Sequence, residues 1–122
     1  MTPDALWQRY AAIWSLDPGQ RQSELAVCLA DDATYCDPNG LLSGRAALSD
    51  YMGQFQSSVP GGRFHIRSVL HHHDRSIADW SLLGADDGVL QMGTSFGTLA
   101  EDGRLRAISG FFRPQNRDEA TT

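Results

Sequence analysis

The chain has 122 residues, of which 41% are apolar and 20% are charged, and its formal net charge is −5. This length and composition predict one soluble globular domain over residues 1–122. The negative charge argues against nonspecific binding to nucleic acid or to an anionic membrane, because both need clustered positive charge.

Two helices are predicted in the first part of the chain. Thr2 followed by Pro3 is typical of a helix N-cap with proline in the first turn, and apolar side chains then recur at helical spacing as far as Trp14. The dipeptide Asp17-Pro18 ends this helix and begins the second. The N-terminal segment has no basic stretch followed by an apolar core, and no apolar run is long enough to span a bilayer, so we expect a cytoplasmic protein.

The stretch ATYCDPNG, residues 33–40, predicts a short strand followed by a turn. Strand alternation puts Asp37 on the same face as Tyr35, and the proline after Asp37 favours an extended conformation there. Two roles for Asp37 remain open. A carboxylate at the mouth of an apolar cavity can act as a general base, and DPNG is also a turn signature in which Asp accepts backbone N–H groups. Asp31 and Asp32, just before this strand, are predicted to lie in a solvated turn.

A third helix is predicted to begin at Ser43, with Tyr51 and Phe55 on its apolar face, and to end at Pro60. Four strands follow, with the sequences RFHIRSVLHHH, SIADWSLLG, VLQMGTSFGTLA and RLRAISGFF. This order predicts an α+β domain in which three N-terminal helices pack on one face of a curved antiparallel sheet. The resulting cone would hold a small ligand. Residues 113–122 are predicted to form a flexible tail.

The face of the first of these strands that carries Arg63, His65 and Arg67 has two interpretations. If it lines the cone, the trio could bind an anionic or carbonyl ligand, with His65 as an acid or base. If it faces outward, the trio belongs to a dimer surface, which is favoured because two arginines in an apolar pocket would need partners. The large apolar residues of the later strands are predicted to lie in the core or the pocket wall: Trp80, Met92, Phe96, Phe111 and Phe112.

No metal site is predicted. Cys28 and Cys36 have neither the spacing of a zinc site nor the number of a disulfide framework, so we expect buried, reduced thiols. His71 and His73 could share a metal with Asp79, but no further ligand spacing supports this, and surface histidines are the favoured interpretation.

Three motifs resemble the NTF2-like superfamily: ADDATYCDPNG with SGRAAL after it, GTSFGTLAEDGRL, and ISGFF. The most similar branches are the SnoaL-like polyketide cyclases and the Δ5-3-ketosteroid isomerases, over residues 6–112. The resemblance implies the NTF2-like, or cystatin-like, cone, catalysis without a cofactor, and a homodimer. The superfamily contains isomerases, cyclases, epoxide hydrolases, dehydratases and non-enzymatic binders. The resemblance therefore implies a fold more firmly than a reaction.

The resemblance also implies roles for individual residues. Asp37 matches the aspartate that shuttles a proton in ketosteroid isomerases, and Tyr10 matches the tyrosine that donates a hydrogen bond to the enolate oxygen. Ser95 stands where the isomerases have a second donor, a protonated aspartate, and Leu29 and Met52 replace two supporting tyrosines. Losing one good oxyanion donor costs about 10²–10³ in rate, so efficient steroid isomerisation is not expected.

Two hypotheses follow. The first is a cofactor-free proton-transfer enzyme of the isomerase, cyclase or lyase kind, acting on a small hydrophobic carbonyl compound with Asp37 as base and Tyr10 as donor. The second is a non-catalytic module of the same fold for ligand binding or dimerisation. The other residues predicted to line the pocket are Ser95, Tyr51, Phe55, His65, Trp80 and Phe112.

Overall fold

The computed structural model describes residues 1–113. Its helices and strands bear out the predicted α+β class. The three helices are α1 Pro3–Ile13, α2 Pro18–Cys28 and α3 Arg45–Ser58. The six strands, which form one sheet, are β1 Leu29–Asp37, β2 Gly40–Ser43, β3 Arg63–His72, β4 Arg75–Leu83, β5 Val89–Leu99 and β6 Leu105–Phe111. The predicted tail lies, apart from Arg113, outside the described residues.

The first two helices begin at the predicted caps. The Thr2 hydroxyl accepts a hydrogen bond from the Ala5 backbone N–H at 3.1 Å, and the Asp17 carboxylate accepts one from the Gln20 N–H at 2.9 Å. A proline occupies the first turn of each helix, where its missing N–H costs nothing. Within residues 1–113, none of the helices is long and apolar enough to cross a membrane.

The sheet is mixed, with the strand order β2-β1-β6-β5-β4-β3. Strands β3 to β6 pair antiparallel in chain order, whereas β1 lies parallel to β6. The prediction of an antiparallel sheet is therefore wrong at this pair. Because β1 and β6 are far apart in the chain, no hairpin turn fixes their relative direction.

The sequence patterns do not predict β2. A two-residue turn follows Asp37, after which Gly40–Ser43 pairs back onto residues 34–37. Ser43 therefore ends a strand. The prediction that it begins the third helix is wrong. The helix begins after Gly44, whose φ of 89° is a conformation that glycine adopts without strain. A four-residue strand is too short for alternation to reveal.

The aspartates before Asp37 lie in β1 and not in a turn, because β1 follows α2 directly. The exposed Asp31 carboxylate contacts Arg45 at 2.7 Å, and Asp32 contacts Arg106 at 3.5 Å. Burial then alternates along the strand and places Asp37 inside, as the alternation predicts.

A bulge in β3 changes the faces that simple alternation predicts. The pairing of β3 with β4 shifts by one residue between Ile66 and Ser68. An extra residue in one strand exchanges the inward and outward positions that follow it. Val69 consequently packs against the core, and Leu70 is 73% exposed.

The face of the sheet away from the core carries large apolar side chains. Met92, Phe96 and Phe111 are 49%, 37% and 62% exposed, so the prediction that they belong to the core or pocket wall is wrong. Cys36 is also exposed, contrary to the prediction of a buried thiol, whereas Cys28 is buried. Alternation groups side chains by face, but it does not say which face is covered.

Candidate functional site

A cavity of about 690 Å³ is bordered by residues of α1, α3 and every strand except β2. Most of the side chains that were predicted to line a pocket border this cavity. They are Asp37, Tyr10, Ser95, Tyr51, Phe55, Trp80 and Phe112.

His65 is the predicted pocket residue that the structure does not bring to the cavity. Its neighbours in β3, Phe64 and Ile66, border the cavity, and His65 lies on the opposite, exposed face with Arg63 and Arg67. The placement corresponds to the outward-facing interpretation. Both guanidinium groups are exposed to solvent. They therefore avoid the cost of placing an unpaired charge in an apolar pocket.

Asp37 lies at the end of β1, is 9% exposed, and accepts three hydrogen bonds. The hydroxyls of Tyr35 and Tyr51 donate to Oδ2 at 2.6 and 2.8 Å. The backbone N–H of Asn39 donates to Oδ1 at 2.8 Å. The last contact is the turn role that DPNG predicts, so the turn fixes a carboxylate that also borders the cavity. Since Oδ1 accepts one bond from the described residues, it has capacity for another donor.

The two tyrosines form a clamp on Asp37 that sequence analysis does not identify. Burial raises the pKa of Tyr51 to about 12, and its hydrogen bond to Asp37 adds to the effect. Burial also raises the pKa of Tyr35, well above the ordinary value for a phenol. Both phenols therefore remain protonated donors at neutral pH.

Tyr10, on α1, has a buried hydroxyl without a hydrogen-bond partner among the described residues. Its ring packs edge-on against Trp7 with a centroid distance of 5.9 Å. Burial raises the pKa of the Tyr10 phenol far above its usual value, and the nearby Trp14 side chain offsets only part of this rise, so the hydroxyl keeps its proton. An unpaired buried hydroxyl costs about 1–3 kcal/mol, which a ligand oxygen beside Tyr10 would recover.

Ser95 lies on the inner side of β5 and is 9% exposed. The indole N–H of Trp80 donates to its hydroxyl oxygen at 3.1 Å. This bond uses one acceptor position of the hydroxyl and leaves its own hydrogen free to donate. Ser95 could therefore supply a second, weaker donor at the cavity.

An aromatic wall extends through the cavity from Trp14. Its ring centroid lies 5.8 Å from Tyr35, 5.9 Å from Tyr51, 5.6 Å from Phe55 and 5.4 Å from Phe64. Aromatic rings at these separations attract one another and bury much apolar surface. The wall makes the cavity suited to a hydrophobic molecule.

The described residues that border the cavity carry little formal charge and form no metal-binding cluster. Among the described side chains that border the cavity, Asp37 is the only charged one. Within residues 1–113, no group of three His, Cys, Asp or Glu side chains is placed to hold a metal ion. Asp79 instead accepts hydrogen bonds from the hydroxyls of Ser68 and Thr94, at 3.0 and 2.7 Å.

Gly93 lies beside Trp80, which borders the cavity, and has no room for a side chain. A methyl group there would lie 2.3 Å from the Trp80 ring and 2.8 Å from the carbonyl oxygen of Phe111. We expect Gly93→Ala to lower the free energy of unfolding by about 1–3 kcal/mol and to displace the Trp80 ring. Urea unfolding measures the loss, and Gly40→Ala is the matched control, because nothing lies within 4 Å of its added methyl group. Equal stability of the two variants would contradict the prediction.

Comparison with known proteins gives one family match and a set of similar folds. Residues 6–108 match the family described as SnoaL-like domain. A structure from Agrobacterium tumefaciens strain C58, provisionally named an isomerase of the SnoaL-like family, has a TM-score of 0.85 and 24% identity; the similarity covers 93% of this chain and 99% of that chain. No curated protein matches the sequence.

Two further structures have the same fold at lower identity. One, from Kribbella flavida DSM 17836, is provisionally named a ketosteroid isomerase; its TM-score is 0.70 at 19% identity, over 94% of this chain and 80% of that chain. The other, from Sinorhizobium meliloti, is provisionally named a polyketide cyclase; its TM-score is 0.69 at 13% identity, over 87% of this chain and 93% of that chain.

Proposed function

The chain belongs to the SnoaL-like domain family of the NTF2-like superfamily, and from this premise we propose that its cavity binds a small hydrophobic carbonyl compound and moves a proton on it without a cofactor. The observation that carries the proposal is the unpaired Tyr10 hydroxyl bordering the same aromatic cavity as the Asp37 carboxylate. A fold of this kind hosts several chemistries, so the reaction depends on the side chains of the site.

The proposed step is proton abstraction from the carbon next to the carbonyl. A carboxylate oxygen of Asp37 takes the proton, and the electron pair of the C–H bond moves to form an enolate. Tyr10 donates a hydrogen bond to the enolate oxygen, and Ser95 is the candidate second donor. Asp37 then returns the proton, either to the same carbon or to another carbon of the conjugated system, and is regenerated.

Tyr35 and Tyr51 hold the base in place in this proposal. Their two bonds to Oδ2 fix the rotamer of Asp37 and leave the less occupied Oδ1 to accept the proton. The surrounding aromatic rings limit water around the carboxylate, which strengthens each polar interaction in the site.

Hydrogen–deuterium exchange tests the proposal, because it detects proton abstraction from any ketone that the cavity accepts. A panel of cyclic ketones and a Δ5-3-ketosteroid is incubated in D₂O with the protein, and NMR follows loss of the hydrogen next to the carbonyl. We expect exchange faster than in buffer for at least one ketone. Exchange at the buffer rate across the panel, together with measurable ketone binding, would instead support a ligand-binding module.

That module is the second candidate function, and Ser95 is the observation that favours it. A serine hydroxyl is far less acidic than the protonated carboxylic acid that the resemblance puts at this position, so it stabilises an enolate less well. The cavity would then hold its ligand without reacting with it.

We also propose that the outer face of the sheet forms a homodimer. Its exposed apolar side chains are Leu70, Ile77, Met92, Phe96 and Phe111. A contiguous apolar surface of this kind is typical of an interface between subunits.

Sedimentation at micromolar concentration tests the dimer. We expect Phe96→Asp to weaken association by at least about 10-fold, because it removes a large apolar contact and introduces a charge. Val27→Asp is the matched control, since Val27 lies on α2, away from this face, with a similar exposure of 39% against 37%. A wild-type monomer, or equal association of the two variants, would refute the proposal.

A further inference from the structure

We propose that the cavity selects a hydrophobic monocation, namely a protonated tertiary amine, over a neutral molecule of the same shape. The inference rests on the part of the proposed function that places a small ligand in the cavity, and it does not depend on the proton transfer. The carboxylate of Asp37 would bind the ammonium N–H, and the aromatic wall would contact the carbon substituents.

Asp37 is a buried carboxylate that has no cationic partner among residues 1–113. Exposed acidic side chains such as Asp31 and Asp102 have an arginine within 4.0 Å, but no ion pair within residues 1–113 involves Asp37. Its partners are two hydroxyls and one amide N–H, all uncharged. A buried charge that is hydrogen-bonded but unpaired leaves an electrostatic interaction for a cationic ligand to make.

Aromatic residues lie beside that carboxylate. The rings of Trp14, Tyr35 and Tyr51 lie 5.7 to 5.9 Å from one another, and both tyrosine hydroxyls touch Asp37. A cationic ligand held by Asp37 in the cavity would share it with these rings, because Trp14, Tyr35 and Tyr51 all border the same cavity. Aromatic faces attract such cations, most strongly where water is excluded.

The lining of the cavity suits an organic cation better than a metal ion. A metal needs several oxygen, nitrogen or sulfur ligands, and apart from Asp37 the described side chains that border the cavity are aromatic, aliphatic or uncharged polar groups. The residues described also offer no cluster of three metal-ligating side chains. An alkylammonium needs one acceptor and an apolar surface, and both are present.

Such an amine would also block Asp37, the proposed base. With its N–H on Oδ1, the ammonium would cover the oxygen that is proposed to take the ligand's proton. Hydrophobic amines are therefore expected to compete with ketones and to slow deuterium exchange.

Calorimetric titration with three matched probes tests the inference. N,N-dimethylbenzylamine is protonated at neutral pH, isobutylbenzene is its uncharged isostere, and benzyltrimethylammonium keeps the charge but has no N–H. At low salt we expect the protonated amine to bind wild type about tenfold more tightly than isobutylbenzene, with benzyltrimethylammonium between them. Equal affinity of the amine and isobutylbenzene for wild type would overturn the inference.

Variants locate the charge that is responsible. We expect Asp37→Asn to abolish the preference for the amine, and Asp32→Asn to keep it, because Asp32 carries the same charge on the exposed face of the same strand. A preference that survives Asp37→Asn would overturn the inference. The proposed function fails separately, if deuterium exchange of every ketone stays at the buffer rate while the amine preference persists.

Discussion

Replacing Asp37 by asparagine is expected to lower the rate of proton transfer by about 10²–10⁴-fold, the range that a positioned general base contributes. The amide keeps the shape of the side chain, and its oxygen can still accept from Tyr35 and Tyr51. It has no basic lone pair for a proton from carbon. Deuterium exchange on the best ketone of the panel measures the effect, with ketone affinity determined in parallel.

Two controls make the result specific to Asp37. Asp32→Asn removes an equal charge from the exposed face of the same strand and should leave the rate unchanged. In Asp37→Asn, the backbone N–H of Asn39 would face either the new amide NH₂ or an oxygen that it shares with the tyrosines. Urea unfolding checks that this change has not disrupted the turn. An Asp37→Asn variant that is folded and exchanges as fast as wild type would remove the base from the mechanism.

Much of the fold can be predicted from local signals. The caps at Thr2 and Asp17 and the turn after Asp37 are each set by residues within three or four positions, and the structure has all of them. The parallel pairing of β1 with β6 and the bulge in β3 are not local. They depend on contacts between distant segments, and alternation alone cannot show either.

The sequence predicts most of the residues that border the cavity, but it does not predict the hydrogen bonds between them. The period-two pattern places Tyr35 and Asp37 on one face, but it does not say that the hydroxyl of one reaches the carboxylate of the other. The second partner, Tyr51, comes from α3, so only the folded chain brings it to Asp37. The same limit explains His65, because alternation groups it with Arg63 on one face without giving the direction of that face.

Replacing Tyr10 by phenylalanine is expected to have opposite effects on stability and function. The hydroxyl is buried without a partner among the described residues, so its removal should raise the free energy of unfolding by about 1–3 kcal/mol. The same change removes the proposed oxyanion donor and should lower the deuterium-exchange rate by about 10²–10³-fold. Urea unfolding and exchange measured on one preparation give both numbers.

Tyr35→Phe is the matched control, because it also removes one phenolic hydroxyl from the cavity wall. The Tyr35 hydroxyl is bonded to the Asp37 carboxylate at 2.6 Å, so its loss should destabilise the fold by about 1.5–3 kcal/mol, opposite in sign to Tyr10→Phe. A hydroxyl retained at a cost in stability is expected where its partner arrives with the ligand. If Tyr10→Phe destabilises the protein as Tyr35→Phe does, the Tyr10 hydroxyl already has a partner in the folded protein and is not free to donate to a ligand oxygen.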